Sequence, residues 1–115
     1  MSRVIHFDIP ASDPDKSQSF YTEIFGWQFN SFPGFDGYWL THTGEGPGIN
    51  GGLMRRNSPD QPVTVSIAVP SIDDALEQIQ ARGGQVAVPK TVIPGGAFAF
   101  FKDPDGNIIG LSEQG

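Results

Sequence analysis

Two histidines, a carboxylate close to the first of them and no cysteine at all narrow the chemistry open to this chain of 115 residues. His6 and Asp8 lie in Val4-Ile5-His6-Phe7-Asp8-Ile9, a segment of period two, so both leave one face of a strand while Ile5, Phe7 and Ile9 leave the other. An imidazole titrates near neutrality and can serve there as a hydrogen-bonding group or a general base. Asp8 can orient it or meet a cationic ligand. Strand neighbours i and i+2 are about 6.6 Å apart, so spacing alone does not make the two a dyad.

Other residues could join them. Tyr38, Trp39, Phe98 and Phe100 are aromatic enough to line an apolar small-molecule pocket, although alternation leaves open which of them face it. Gly51-Gly52 interrupts a strand-like run, as glycines do at bulges or where a ligand or backbone approaches closely. His42 with His6 and Glu113 would make a non-standard two-histidine, one-carboxylate set of the kind that holds iron. Its neighbours Thr41 and Thr43 and the following Gly-rich loop point instead to a surface position, and Glu113 has the opposite strand parity to Gly110. With no thiolates, disulfides and thiol nucleophiles are excluded, as suits a cytoplasmic setting.

The elements that must position these residues come twice. Arg3 to Ile9 reads as a strand. Asp13-Pro14-Asp15 is a helix start, with Ser17, Phe20, Tyr21 and Ile24 at helical spacing, Phe20 and Tyr21 bulky enough to cover Ile5 and Phe7, and Gly26 as the stop. Short strands follow at Trp27 to Phe32, Gly37 to Thr43 and Ile49 to Arg55. After a linker at 57–62, Val63 to Val69 alternates, Ser71 opens a helix with the stripe Ile72, Ala75, Leu76 and Ile79, and Gly83-Gly84 closes it. Gln85 to Val88, Ala97 to Lys102 and Asn107 to Ser112 complete the set, the last two joined by the turn Asp103-Pro104-Asp105-Gly106-Asn107.

Gly48-Ile49-Asn50-Gly51-Gly52-Leu53 aligns with Gly106-Asn107-Ile108-Ile109-Gly110-Leu111 at an offset of 58, and Ile9-Pro10 with Val69-Pro70 at 60. The second offset makes Ser66 the mate of His6. The chain reads as one domain over 1–115 of two strand-helix-strand-strand-strand modules, 3–57 and 61–115, an α+β fold.

Fifteen glycines and ten prolines sit at turns rather than in a low-complexity tract. A net charge of −6 with seven Lys plus Arg and no basic cluster argues against nucleic-acid or anionic-membrane partners. Neither a signal peptide nor a membrane span is expected. Phosphate-loop, dinucleotide and nucleophile-elbow motifs are absent.

His6 on the first strand, Phe25-Gly26-Trp27 after the first helix and Asp103-Pro104-Asp105-Gly106-Asn107 near the end resemble the vicinal oxygen chelate superfamily of glyoxalases, bleomycin-resistance proteins and extradiol dioxygenases. Gly48-Ile49-Asn50-Gly51-Gly52, Pro89-Lys90 and Ile93-Pro94-Gly95 are similar to its bacterial glyoxalase-related branch. The resemblance, over about Val4 to Glu113, implies paired modules with curved mixed sheets, a homodimer and a pocket for a small organic ligand. It also implies four metal-ligand positions, here His6, Gly52, Ser66 and Gly110. Only His6 ligates a divalent ion well, and the carboxylate that serves as base in a glyoxalase-type isomerisation is replaced by Gly110. The expectation is a small-molecule-binding protein with no cofactor, its pocket lined by His6, Asp8, Tyr38, Trp39, Gly52, Ser66, Phe98 and Phe100. The alternative is a glyoxalase-like lyase or dioxygenase-type enzyme on a small carbonyl or oxygenated substrate, with His6 as base or in an unusual divalent-metal site.

Overall fold

Both helix starts written in the sequence form as read. In the computed structural model, which describes residues 1–115, α1 spans Pro14–Phe25 and α2 spans Ile72–Ala81. Asp13 is extended and its carboxylate accepts the Lys16 N–H, satisfying one donor that the first turn leaves free, while Pro14 has no N–H to satisfy. Gly26 ends α1 with φ 75°, a left-handed cap that a side chain would resist. Ser71 caps α2 through the Asp74 N–H, and the Ile72 N–H beside it donates to Glu113 Oε1 at 2.6 Å.

The chain divides into two compact units, His6–Val63 and Met1–Ile5 with Thr64–Gly115. In the first, β1 (Val4–Ala11, its first two residues falling in the other unit), β2 (Gln28–Ser31), β3 (Tyr38–His42) and β4 (Gly51–Arg55) pair in the order β2-β3-β4-β1. The β4–β1 pair is parallel and the others antiparallel. In the second, β5 (Thr64–Ala68), β6 (Gln85–Ile93), β7 (Gly96–Lys102) and β8 (Ile108–Gln114) run β5-β8-β7-β6, again with one parallel pair, β5–β8. The fold is α+β, with the strand-helix-strand-strand-strand pattern used twice. A parallel pair needs a crossover, and α1 with β2 and β3, or α2 with β6 and β7, supplies it.

Register decides between the two offsets. Asp8 pairs with Gly52 and Ser66 with Gly110, so the internal shift is 58 and Ser66 is the counterpart of Asp8, not of His6; His6 corresponds to Thr64. The two dipeptides that suggested 60 are not equivalent: Ile9 and Pro10 stand in the β1–β4 ladder opposite Leu53 and Met54, whereas Val69 and Pro70 lie beyond the end of β5 at Ala68. β6 also outruns its expected end at Val88 and continues to Ile93, with irregular register on either side of Val88. Pro89 is tolerated because β6 pairs with β7 alone.

The units pack differently. In the second, Ile72, Ala97, Ala99 and Leu111 are buried together, with Ala75, Leu76 and Ile79 of the α2 stripe and Phe101 against them. In the first, Leu53 and Thr41 are fully buried, yet α1 turns a face of Pro14, Ser17, Gln18 and Tyr21 inward, while Phe20 and Ile24 stay more than half exposed. The expectation that Phe20 covers Ile5 and Phe7 is corrected, and stacking explains why. Tyr21 lies flat on Trp27 at 4.9 Å, Trp27 packs on Phe7 at 5.8 Å, and this pair occupies the place intended for Phe20.

Candidate functional site

Alternation along β1 sends Phe7 toward Tyr21 and Trp27 and leaves His6 and Asp8 on the opposite face. Two strands away, Tyr38 opens β3, and the order β3-β4-β1 carries its ring across Gly52 to the same spot. There His6 Nε2 lies 3.0 Å from Asp8 Oδ1 and 2.8 Å from the Tyr38 hydroxyl, which donates to Asp8 Oδ1 at 2.7 Å. The i, i+2 pair thus does meet, joined by a hydroxyl from a third strand.

Hydrogen-bond accounting assigns the protons. The single Tyr38 proton goes to Asp8, so the Tyr38 oxygen and Asp8 Oδ1 are both acceptors toward His6, and Nε2 must carry a hydrogen to satisfy them. The neutral ring then holds its lone pair on Nδ1. Asp8 is only 8% exposed and His6 partly so, a burial that strengthens each of these bonds. Burial, then the Asp8 charge, then the hydrogen bond to Asp8 push the Tyr38 hydroxyl far above the ordinary phenol range, so it remains a neutral donor.

Glycine at position 52 makes this contact possible. A Cβ there would collide with the Tyr38 hydroxyl and lie 2.7 Å from Asp8 Oδ1. Around the cluster, Phe32 meets Tyr38 edge-on at 6.0 Å and stacks on Phe35 at 5.0 Å, and exposed Leu40 shares the strand face of Tyr38. The sequence reading places Phe32 only at the end of a strand and Phe35 in the connection after Pro33-Gly34, so neither stands out as a pocket residue. Tyr38 stood out only as an aromatic; nothing local to it announces a carboxylate partner 30 residues earlier.

Trp39 does not join the cluster. It points to the other face of β3, with the Arg55 guanidinium 5.8 Å above its ring. In the second unit, Ser66, Gly110, Phe100 and Phe98 share one sheet face: Ser66 Oγ and the Phe100 ring crowd the point where a Gly110 Cβ would stand, and Phe98 meets Phe100 edge-on at 6.0 Å. Ala97 and Ala99 take the opposite, buried face. Phe98 and Phe100 thus lie on the face away from the core of Ala97 and Ala99.

The non-standard set of His6, His42 and Glu113 does not assemble. His42 Nε2 faces Glu45 at 3.6 Å at the start of the Gly-rich loop. Glu113 spends Oε1 on the Ile72 N–H and has Lys90 Nζ 3.6 Å from Oε2. No three His, Cys, Asp or Glu side chains gather in a metal-binding group.

A family profile described as the Glyoxalase/Bleomycin resistance protein/Dioxygenase superfamily matches residues 3–111. The chain is 31% identical over 116 residues to CFP32 of Mycobacterium tuberculosis, which carries a provisional glyoxylase name; the match covers 90% of this chain and 42% of that protein, so the chain spans less than half of that relative's length. A Vibrio parahaemolyticus protein named as a probable lactoylglutathione lyase is 31% identical over 126 residues, covering 97% of this chain and 91% of its own. In fold, methylmalonyl-CoA epimerase from M. tuberculosis superposes with a TM-score of 0.73 at 16% identity, over 97% of this chain and 87% of the epimerase.

Proposed function

The chain belongs to the Glyoxalase/Bleomycin resistance protein/Dioxygenase superfamily, and on that premise we propose that it binds a small organic molecule on the sheet face of His6, Asp8 and Tyr38, without a resident metal. The observation that carries this reading is the hydrogen-bonded triangle of those three side chains beside apolar Phe32, Phe35 and Leu40. Few placed polar groups in an apolar surround are what small-molecule recognition requires. The triangle supplies one ring lone pair and one buried negative charge, which suit a ligand with a hydroxyl or N–H to donate. A screen of small hydroxylated and carbonyl compounds by ligand-observed NMR tests it. Binding that survives unchanged in both His6→Ala and Tyr38→Phe would sink the assignment.

A second reading is enzymatic, a glyoxalase-like lyase on a small carbonyl substrate. It is favoured by the clamped Nε2–H, which leaves Nδ1 as the basic nitrogen and holds the ring still. In that case His6→Ala abolishes turnover while Tyr38→Phe lowers kcat more than it changes KM, because Tyr38 only positions the ring. No step in this reading passes through a metal.

The same proposal includes a cytoplasmic homodimer. Exposed Phe20, Ile24 and Phe25 on α1 support self-association, which light scattering checks. No helix is long and apolar enough to cross a membrane.

A further inference from the structure

We infer that Tyr38 and Ser66 supply hydroxyls that fill the space of the ligand side chains absent at Gly52 and Gly110, so each module closes its own metal position. The inference rests on the metal-free part of the proposed function and shares His6, Asp8 and Tyr38 with it, so its tests read metal content and stability rather than a ligand.

In metal-dependent relatives the last strand of a module is expected to carry a ligand where this chain has Gly52 or Gly110. Loss of a side chain would ordinarily leave a void that water or a substitute ligand could enter. Neither position is a void. At Gly52 the three atoms nearest a built Cβ are the Tyr38 hydroxyl, the carbon that bears it and Asp8 Oδ1. At Gly110 they are Ser66 Oγ, its Cβ and an edge carbon of Phe100 at 3.1 Å. Both glycines are buried and neither has positive φ, so conformational freedom does not account for their being glycine. Close approach by a neighbouring strand's hydroxyl does.

The filling groups differ in origin. Tyr38 reaches Gly52 from β3, and Ser66 reaches Gly110 from its parallel partner β5. Two unrelated side chains thus reach one outcome at register-equivalent positions. In the first module the filler also engages the one good ligand left: His6 Nε2 is committed to Tyr38 and Asp8. A divalent ion on that nitrogen would have to strip its hydrogen and break both of these bonds.

The test needs no ligand. Protein purified without chelator or affinity tag is dialysed against Zn²⁺, Ni²⁺ or Mn²⁺, and metal per chain and the melting temperature are read. We expect well under one ion per chain and no shift in melting. Near-stoichiometric metal that His6→Ala abolishes overturns the inference while leaving ligand binding on the same face an open question; failure of every ligand, with metal still excluded, sinks only the proposed function.

The steric half is read by a cycle. Gly52→Ala lowers the melting temperature by about 5–10 °C, and Tyr38→Ala in the same chain recovers part of that loss, so the double variant falls less than the sum. Gly110→Ala behaves likewise with Ser66→Ala. If Gly52→Ala gives no soluble protein, recovery of soluble protein in Tyr38→Ala/Gly52→Ala supports the inference. Additive effects, or a double variant that stays insoluble, overturn it.

Discussion

Set side by side at their register-equivalent positions, the two modules differ in chemistry far more than in shape. His6 corresponds to Thr64 and Asp8 to Ser66. Pairing of Tyr38 with Met54 and of Phe98 with Ser112 makes Phe98 the counterpart of Tyr38, an aromatic without its hydroxyl. The first module carries a base, an acid and a phenol where the second carries two hydroxyls and a plain ring. The second, in turn, holds the cluster of Ile72, Ala97, Ala99 and Leu111, while α1 of the first leaves its bulkiest residues in solvent. One framework can therefore put stability into one copy and polar chemistry into the other, because a buried polar network is compatible with the ladder as long as every group finds a partner.

That contrast can be broken most forcefully in the cores. Ile72→Ala should cost about 3 kcal/mol, as buried large-to-small changes do, whereas Ile24→Ala on α1, at protein concentrations low enough to keep the chain monomeric, should change urea stability by less than about 0.5 kcal/mol because nothing inside the chain is emptied. Equal losses under those conditions would mean that α1 buries Ile24 within the chain. Next in size, Tyr38→Phe should cost about 1–2 kcal/mol by leaving Asp8 short of a donor. The exchange in the other direction, Phe98→Tyr, should bring no gain, since Ser66 offers no charge at the site equivalent to Asp8.

The pH dependence sharpens the same difference. Tyr38 ionises above its ordinary value of 10.0 in the folded chain, so its contribution is complete below that pH. It is lost as pH climbs past 10.0, because the unfolded phenol ionises there and the folded one does not. Melting temperatures from about pH 9 to pH 11 should fall more steeply in the native chain than in Tyr38→Phe. The smallest effect is at the far end of the second module. Glu113→Ala removes the acceptor of the Ile72 N–H and should cost about 1 kcal/mol in urea unfolding. A change without loss would show that Ser71 alone suffices to start α2.

Local signals carried the elements well and the site only in part. Asp13-Pro14, Ser71, Gly26 and the Asp103-to-Asn107 turn act over a few residues, and each does its expected work; Asp103, for example, accepts from the backbones of Asp105 and Asn107 and from the Asn107 side chain. His6 and Asp8 were visible as a same-face pair. What made them a cluster was not visible, because Tyr38 stands two strands away in the sheet and 30 residues away in sequence. Trp39 and Tyr38 looked alike until the pleat sent them to opposite faces. Glu113 looked like a candidate ligand until its carboxylate turned out to cap a helix begun 41 residues earlier.

By itself, then, the sequence determined the repeated strand-helix-strand-strand-strand order, the helix ends, the glycines at positions 52 and 110 and the polar face of β1, all properties of short-range spacing and backbone freedom. Only the tertiary structure decided the register of 58, the rotation of α1 about its axis and the filling of both glycine positions by hydroxyls. Those depend on which side chains from distant strands compete for the same few cubic ångströms, and packing settles that competition only once the strands lie side by side.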